Sequence, residues 1–355
     1  MNQNRYSILV LACAICMAAI TACRDPAPQE PIHSFFGPTM GTRYTIRVAN
    51  PPVDLDLAAM EQAVEGTLAT VNQQMSTYLP DSELSRFNRH AGDDWFAVSA
   101  ETALVVAAGL DVSQATDGAF DVTVGPLVNL WGFGPSGRTI AAPSTEAIAE
   151  CRDRVGYDRL ESRADPPALR KRRADLYVDL SAIAKGFAVD QIARLLERHA
   201  VRSYMVEIGG EVRTRGRKPD GSWWRIGIER PDADIRQIQC VVELDDRALA
   251  TSGDYRNFFE QDGSRFSHEI DPRTGLAVDH ALVSVSVLAA DCMTADAWAT
   301  ALLVLGPEAA LPTARREGLE ALCIFRTPDG FVEQTTPGFA ARLRTLDLGT
   351  ARTPP

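Results

Sequence analysis

Outside its first 23 residues the 355-residue chain has only four cysteines, Cys151, Cys240, Cys292 and Cys323. None stands in a Cys-x-x-Cys pair or at a Cys/His spacing suited to zinc, which excludes a zinc module. G-x-S-x-G is absent, and three residues rather than two separate Ser181 from Lys185, so neither serine acyl-enzyme pattern applies. Histidine is scarce, at five residues, and the 36 Lys and Arg fall short of the 47 Asp and Glu, leaving a formal charge of −11. That sign argues against generic nucleic-acid binding. What is present is an ordinary globular composition, 45% hydrophobic and 23% charged. It rules out a disordered chain, a coiled coil or a collagen-like fibre and suits one large domain or two smaller ones. No internal repeat is present.

The amino terminus departs from this. One Arg precedes an apolar run, Ser7 to Ala19, too short and too early to span as a mature helix, so it reads as a secretory signal. The run ends at Ile20-Thr21-Ala22-Cys23, which resembles a bacterial lipobox, with Cys23 as the lipidated residue. Acylation there would tether the protein to the periplasmic face of a bacterial membrane. Three prolines between Arg24 and Pro31 suit a stalk. In an oxidising periplasm the other four cysteines either pair, in one of three connectivities, or remain buried thiols.

Leu57, Met60, Val64, Leu68, Val71 and Met75 recur at three- and four-residue steps and predict an amphipathic helix. Ser99 caps a second helix through Ala115. Strands are expected at Leu176–Asp179, Tyr204–Ile208, Trp224–Glu229, Val241–Leu244, Phe266–Ile270, Leu282–Leu288 and Leu322–Arg326. Helices are expected at Lys185–His199, Thr294–Leu305 and Pro307–Glu317. Clustered strands flanked by helical pairs predict an α+β fold rather than regular βαβ alternation. Pro135–Pro167 has loop composition, suited to an insertion or lobe boundary.

Four segments invite a chemical reading. Gly132 to Gly137 satisfies G-x-G-x-x-G as a string, but Pro135 sits inside it and no helical periodicity follows, so it is no dinucleotide fingerprint. Asp179 to Gly186 runs from a predicted strand into a helix through small residues, placing a carboxylate and the Lys185 ammonium at a junction suited to phosphate or to a solvated ion pair. His268 stands beside the turn sequence Asp271-Pro272-Arg273-Thr274-Gly275, where it could orient a phosphate or move a proton. Asp296 and Thr300 are four apart on one helix face, two oxygen donors of the kind a hard cation prefers.

Taken in order, these segments resemble the FAD:protein FMN transferase (ApbE) family of periplasmic lipoproteins. The resemblance runs through Thr39-Met40-Gly41-Thr42, Met75 to Tyr78, Asp81 to Asn88, Thr116 to Asp121, Gly125-Pro126, Leu130 to Gly132, Val178 to Gly186, Ile208 to Glu211, Ala250 to Gly253, His268 to Gly275 and Thr294 to Thr300. It implies a mixed α/β, two-lobed fold with mainly antiparallel sheets flanked by helices and FAD bound between lobes. It also implies Mg²⁺-dependent transfer of FMN from FAD to a threonine hydroxyl of a target protein, with AMP leaving. The implied arrangement is a lipoprotein signal peptide at 1–22, a lipidated stalk at 23–34, a catalytic domain at 35–345 and a flexible tail at 346–355.

Carried over by motif, Met40, Tyr78, Ala119, Phe120, Asp121, Asp179, Lys185 and Ile270 line the FAD site. The implied Mg²⁺ ligands are the main-chain oxygen of Ala182, the carboxylate of Asp296 and the hydroxyl of Thr300. Some members carry a second acid immediately before that threonine, where this chain has Ala299. A threonine hydroxyl is a poor nucleophile, so a base must take its proton, and His268 or Asp296 is expected to do so. The implied acceptors are flavoprotein subunits of membrane redox complexes. The alternatives are an FAD pyrophosphatase giving FMN and AMP, and a flavin-binding lipoprotein without chemistry.

Overall fold

Strand β1 (His33–Thr39) turns at Met40-Gly41 into β2 (Thr42–Ala49), and both glycine-like positions have positive φ, 47° at Met40 and 72° at Gly41. The computed structural model describes residues 32–135, 137, 141–232 and 236–344. The lipobox, the stalk as far as residue 31, Ser136 of the glycine string and the tail from residue 345 lie outside them.

Helix α1 (Leu57–Met75) buries the Met60, Val64, Leu68, Val71 and Met75 face, and Asp56 caps it by accepting the N–H groups of Ala58 and Ala59. Next come α2 (Glu83–Arg89), β3 (Phe96–Ala97) and α3 (Ala100–Ala115), the last capped by Ser99. The segment expected to be loop contains structure: α4 (Gly125–Leu130) precedes it, and α5 (Thr145–Arg152), β4 (Leu160–Ala164) and β5 (Pro167–Lys171) occupy much of it. Ser144 caps α5, and buried Ile148, Cys151, Leu160 and Leu169 hold these short elements against the body.

Leu176–Asp179 joins no sheet. Its hydrogen bonds go sideways: Asn88 takes Val178 N–H and donates to Val178 O, and Asp179 N–H reaches Val122 O at 2.7 Å. Helix α6 (Ala184–Arg198) follows, then β6 (Ser203–Ile208), β7 (Glu211–Arg215), β8 (Trp224–Glu229), β9 (Ile238–Leu244) and β10 (Ala248–Gly253). The hairpin β11 (Phe258–Gln261) and β12 (Ser264–Ser267) precedes β13 (Leu282–Ala289). The strand expected at Phe266–Ile270 therefore ends at Ser267, and Ile270 makes an isolated bridge to Ala277. Helix α7 (Cys292–Arg316) joins the two expected helices across a break at Gly306, where φ is 79°. The chain ends in β14 (Glu320–Thr327), β15 (Gly330–Thr335), α8 (Pro337–Ala340) and β16 (Leu343–Arg344).

One eight-stranded sheet, in the order β1-β2-β6-β7-β10-β13-β14-β15, organises the molecule, and every neighbouring pair is antiparallel. Period-two alternation splits its side chains. Ala248 and Ala250, Ala321 and Cys323 face a core shared with α1, α6 and α7, while Leu249, Leu322 and Ile324 face the small sheet β16-β9-β8. All eight residues of β13 are buried, as a strand covered on both faces requires. A third sheet, β3-β5-β4, packs beside α3. Cys151, Cys240, Cys292 and Cys323 are all buried free thiols. Among the described residues no helix is long and apolar enough to cross a membrane.

Candidate active site

A cavity of about 410 Å³ opens where the first turn of α6, the middle of α7 and the end of β10 meet the loops at 119–124 and 268–272. Tyr78, Ala119, Phe120, Asp121, Asp179, Ala182, Lys185, His268, Ile270, Asp296 and Thr300 all line it. Met40 does not: it sits at the β1–β2 turn, half-buried against the main core.

Helix α6 holds α7 in place by two devices. Gly186 N–H donates to Asp296 Oδ2 at 2.9 Å, and a Cβ on Gly186 would stand 2.3 Å from Cys292 O, so only glycine permits this approach. One helical turn on, buried Asp190 accepts the N–H groups of Cys292 and Met293 at the start of α7 and pairs with Arg213. Asp296 and Thr300 thereby face the cavity one turn apart. Ala299 is fully buried in the main core and does not line the cavity.

Lys185 Nζ lies 2.9 Å from Glu211 Oε1 and 3.5 Å from Asp296 Oδ1. Burial works against the Lys185 charge, but Asp296 and Glu211 overcome it and raise its pKa. Burial pushes Glu211 up to about 8, with Lys185 opposing and Asp296 adding to the rise. Glu211 Oε2 is buried without a hydrogen-bond partner. Asp121, also lining the cavity, accepts from Thr123 N–H, Thr123 Oγ1–H and Tyr157 N–H, yet burial pushes it up to about 6.

His268 Nδ1 lies 3.1 Å from Asn257 O. A carbonyl only accepts, so Nδ1 carries the proton, and Nε2, 3.6 Å from Glu269 Oε1, is the basic nitrogen of the neutral ring. Burial raises the Glu269 pKa, with His268 and Lys185 opposing. The turn behind His268 is fixed by Trp131 Nε1–H, which donates to Gly275 O at 2.9 Å.

Glu211, Ser252, Arg256 and Glu269 also line the cavity. None carries a local pattern that marks it as a site residue. Glu211, Ser252 and Glu269 do fall in segments that carry the family resemblance. Among the described residues no group of three or more His, Cys, Asp or Glu is placed to hold a metal ion. Ala182, Asp296 and Thr300, the residues the family resemblance implies as Mg²⁺ ligands, line the cavity.

Known proteins are similar to this chain in sequence and in fold. The ApbE family model matches residues 40–323. A Vibrio cholerae protein named FAD:protein FMN transferase is 47% identical over 90% of this chain and 94% of its own, and its Haemophilus influenzae namesake is 42% identical over 96% and 98%. Among solved structures, the flavin transferase ApbE from Vibrio cholerae superposes with a TM-score of 0.81 at 44% identity, covering 88% of this chain and 100% of its own. The apo flavinyl transferase ApbE of Pseudomonas stutzeri gives 0.81 at 40% identity, covering 89% and 98%. With the family model spanning most of its length and relatives this similar over nearly all of it, the chain belongs to the ApbE family.

Proposed function

We propose that this enzyme, a flavin transferase by family, moves FMN from FAD to a threonine hydroxyl of a protein acceptor in a Mg²⁺-dependent reaction that releases AMP. The observation that carries the proposal is the meeting of Lys185, His268 and the oxygen trio of Ala182, Asp296 and Thr300 in one cavity. Aromatic and apolar residues at one side of it, Tyr78, Phe120 and Ile270, suit flavin rings.

The residues fit a divalent cation. Five carboxylates line the cavity, Asp121, Asp179, Glu211, Glu269 and Asp296, against the cations Lys185 and Arg256. A diphosphate entering so acidic a space needs additional positive charge. Ala182, Asp296 and Thr300 would hold it. Bound there, Mg²⁺ supplies charge neutralisation of the diphosphate.

In the proposed step the threonine oxygen attacks the FMN phosphorus, forming one P–O bond as the P–O bond to AMP breaks. The hydroxyl proton passes to His268 Nε2. Asp296 is the weaker base candidate, because its oxygens already take Gly186 N–H and the nearby Lys185 charge. Lys185 offsets charge on the phosphates.

Incubating the protein with FAD, Mg²⁺ and a threonine-containing acceptor domain tests the reading. A chelator-sensitive FMN adduct on the acceptor with released AMP is expected. FMN and AMP without an adduct would mark a pyrophosphatase, and intact FAD a binding protein.

The proposal extends to the whole chain: signal peptide 1–22, lipidated Cys23 opening a stalk that ends before β1 begins at His33 rather than at residue 34, a catalytic domain to residue 345 and tail 346–355, anchored at the periplasmic face and acting on flavoprotein subunits of membrane redox complexes. Its support is the lipobox-like Ile20 to Cys23 sequence. A diacylglyceryl mass increment on Cys23, absent in Cys23→Ala, is the expected result.

A further inference from the structure

We propose that Ser252 is a positioning residue for Thr300, turning the threonine oxygen toward the cation; this rests on the reading of Ala182, Asp296 and Thr300 as the cation's ligands. Hydroxyl side chains inside a helix commonly fall back on the carbonyl four residues earlier. In this chain Thr67 donates to Ala63 O at 2.8 Å, Thr70 to Gly66 O at 2.9 Å, Ser113 to Gly109 O at 2.8 Å and Thr116 to Val112 O at 2.8 Å. Thr300 instead pairs outside its helix, with Ser252 Oγ at 2.9 Å. Both residues line the cavity.

A hydroxyl that ligates a cation spends an oxygen lone pair and keeps its proton, which must then point away from the positive charge. Ser252 Oγ stands where that proton can go. The strand supports this placement: Ser252 lies opposite Val285 in the β10–β13 register, and the adjacent Thr251 and Ser286 hydroxyls pair at 2.7 Å. Outer partners of this kind, which fix the orientation of a ligand, typically change metal affinity 10- to 100-fold when removed. The trio has one carboxylate, so the orientation of its hydroxyl matters more than in an all-acid site.

The test is a titration with Mn²⁺ alone, followed by the loss of its free-ion EPR signal. Ser252→Ala is expected to weaken Mn²⁺ binding about tenfold, with thermal unfolding in the absence of metal unchanged. Ser252→Thr keeps the hydroxyl and restores affinity, and Thr300→Ser keeps the dependence on Ser252. On a Thr300→Ala background, Ser252→Ala costs nothing more, because the two groups act through one contact. Unchanged affinity in Ser252→Ala, or the same loss on both backgrounds, overturns the proposal. Wild-type affinity in Asp296→Ala and Thr300→Ala places the cation elsewhere and removes the ligand reading and this inference together.

Discussion

Gly186 N–H donates to Asp296 Oδ2 at 2.9 Å across two helices whose backbones touch. A methyl group at Gly186 would meet the Cys292 carbonyl, which is backbone and cannot rotate away. Gly186→Ala should therefore push α7 outward, cost about 1–3 kcal/mol of stability and lower transfer by misplacing Asp296. Denaturant unfolding and transfer assays on the same sample check both effects, and a variant with wild-type stability and rate would show that the helices can separate freely.

Asp190 is 1% exposed and holds the start of α7 through Cys292 and Met293. Its replacement by alanine leaves two N–H groups and Arg213 without their carboxylate. The expected loss is about 2–3 kcal/mol in urea unfolding, with a smaller loss in Asp190→Asn, whose amide oxygen still accepts.

His268→Ala removes the proposed base without touching the ligands of the cation. Transfer should fall about 10²- to 10⁴-fold while FAD binding, read by flavin fluorescence, stays near wild type. Equal rates in the two proteins would take the histidine out of the proton transfer.

Asp121 gives a pH dependence of stability. Its folded pKa, about 6, lies above the ordinary carboxyl value of 3.8 because burial disfavours the charge. Its contribution is complete below about pH 4 and is lost as pH rises through 6, a difference of about 3 kcal/mol. The unfolding free energy of wild type relative to Asp121→Asn should fall across that window, and a flat difference would contradict the assignment.

The sequence shows the helices better than the site. Leu57–Met75 is legible from its apolar spacing and Ala100–Ala115 from the capping Ser99. Leu176–Asp179 looks like a strand because it is apolar, but its backbone is satisfied by the distant Asn88 side chain and by Val122 O, which no local pattern encodes. The 135–167 segment is misread as loop because its elements are short and held by contacts remote in sequence. Asp296 and Thr300 are readable as neighbours on a helix, whereas Glu211 and Glu269 become site residues only through tertiary burial beside Lys185 and His268.

The β11–β12 hairpin pairs with no other strand among the described residues, whereas β13 is bonded along both edges at the middle of the large sheet. Phe259 and Phe266 stack on each other across the hairpin at 5.2 Å, and what ties the pair to the rest of the molecule is Trp131, 5.4 Å from Phe266, with the Ala142 N–H donating to the Gln261 side chain and Arg265 donating to Asp254 O. The wall carrying Asp296 and Thr300 is therefore expected to open only with the global fold, and the wall carrying His268 at lower cost. Amide hydrogen exchange should separate the two walls, with the hairpin exchanging well before β13. Adding a protein acceptor is then expected to change exchange in the hairpin and to leave β13 as it was.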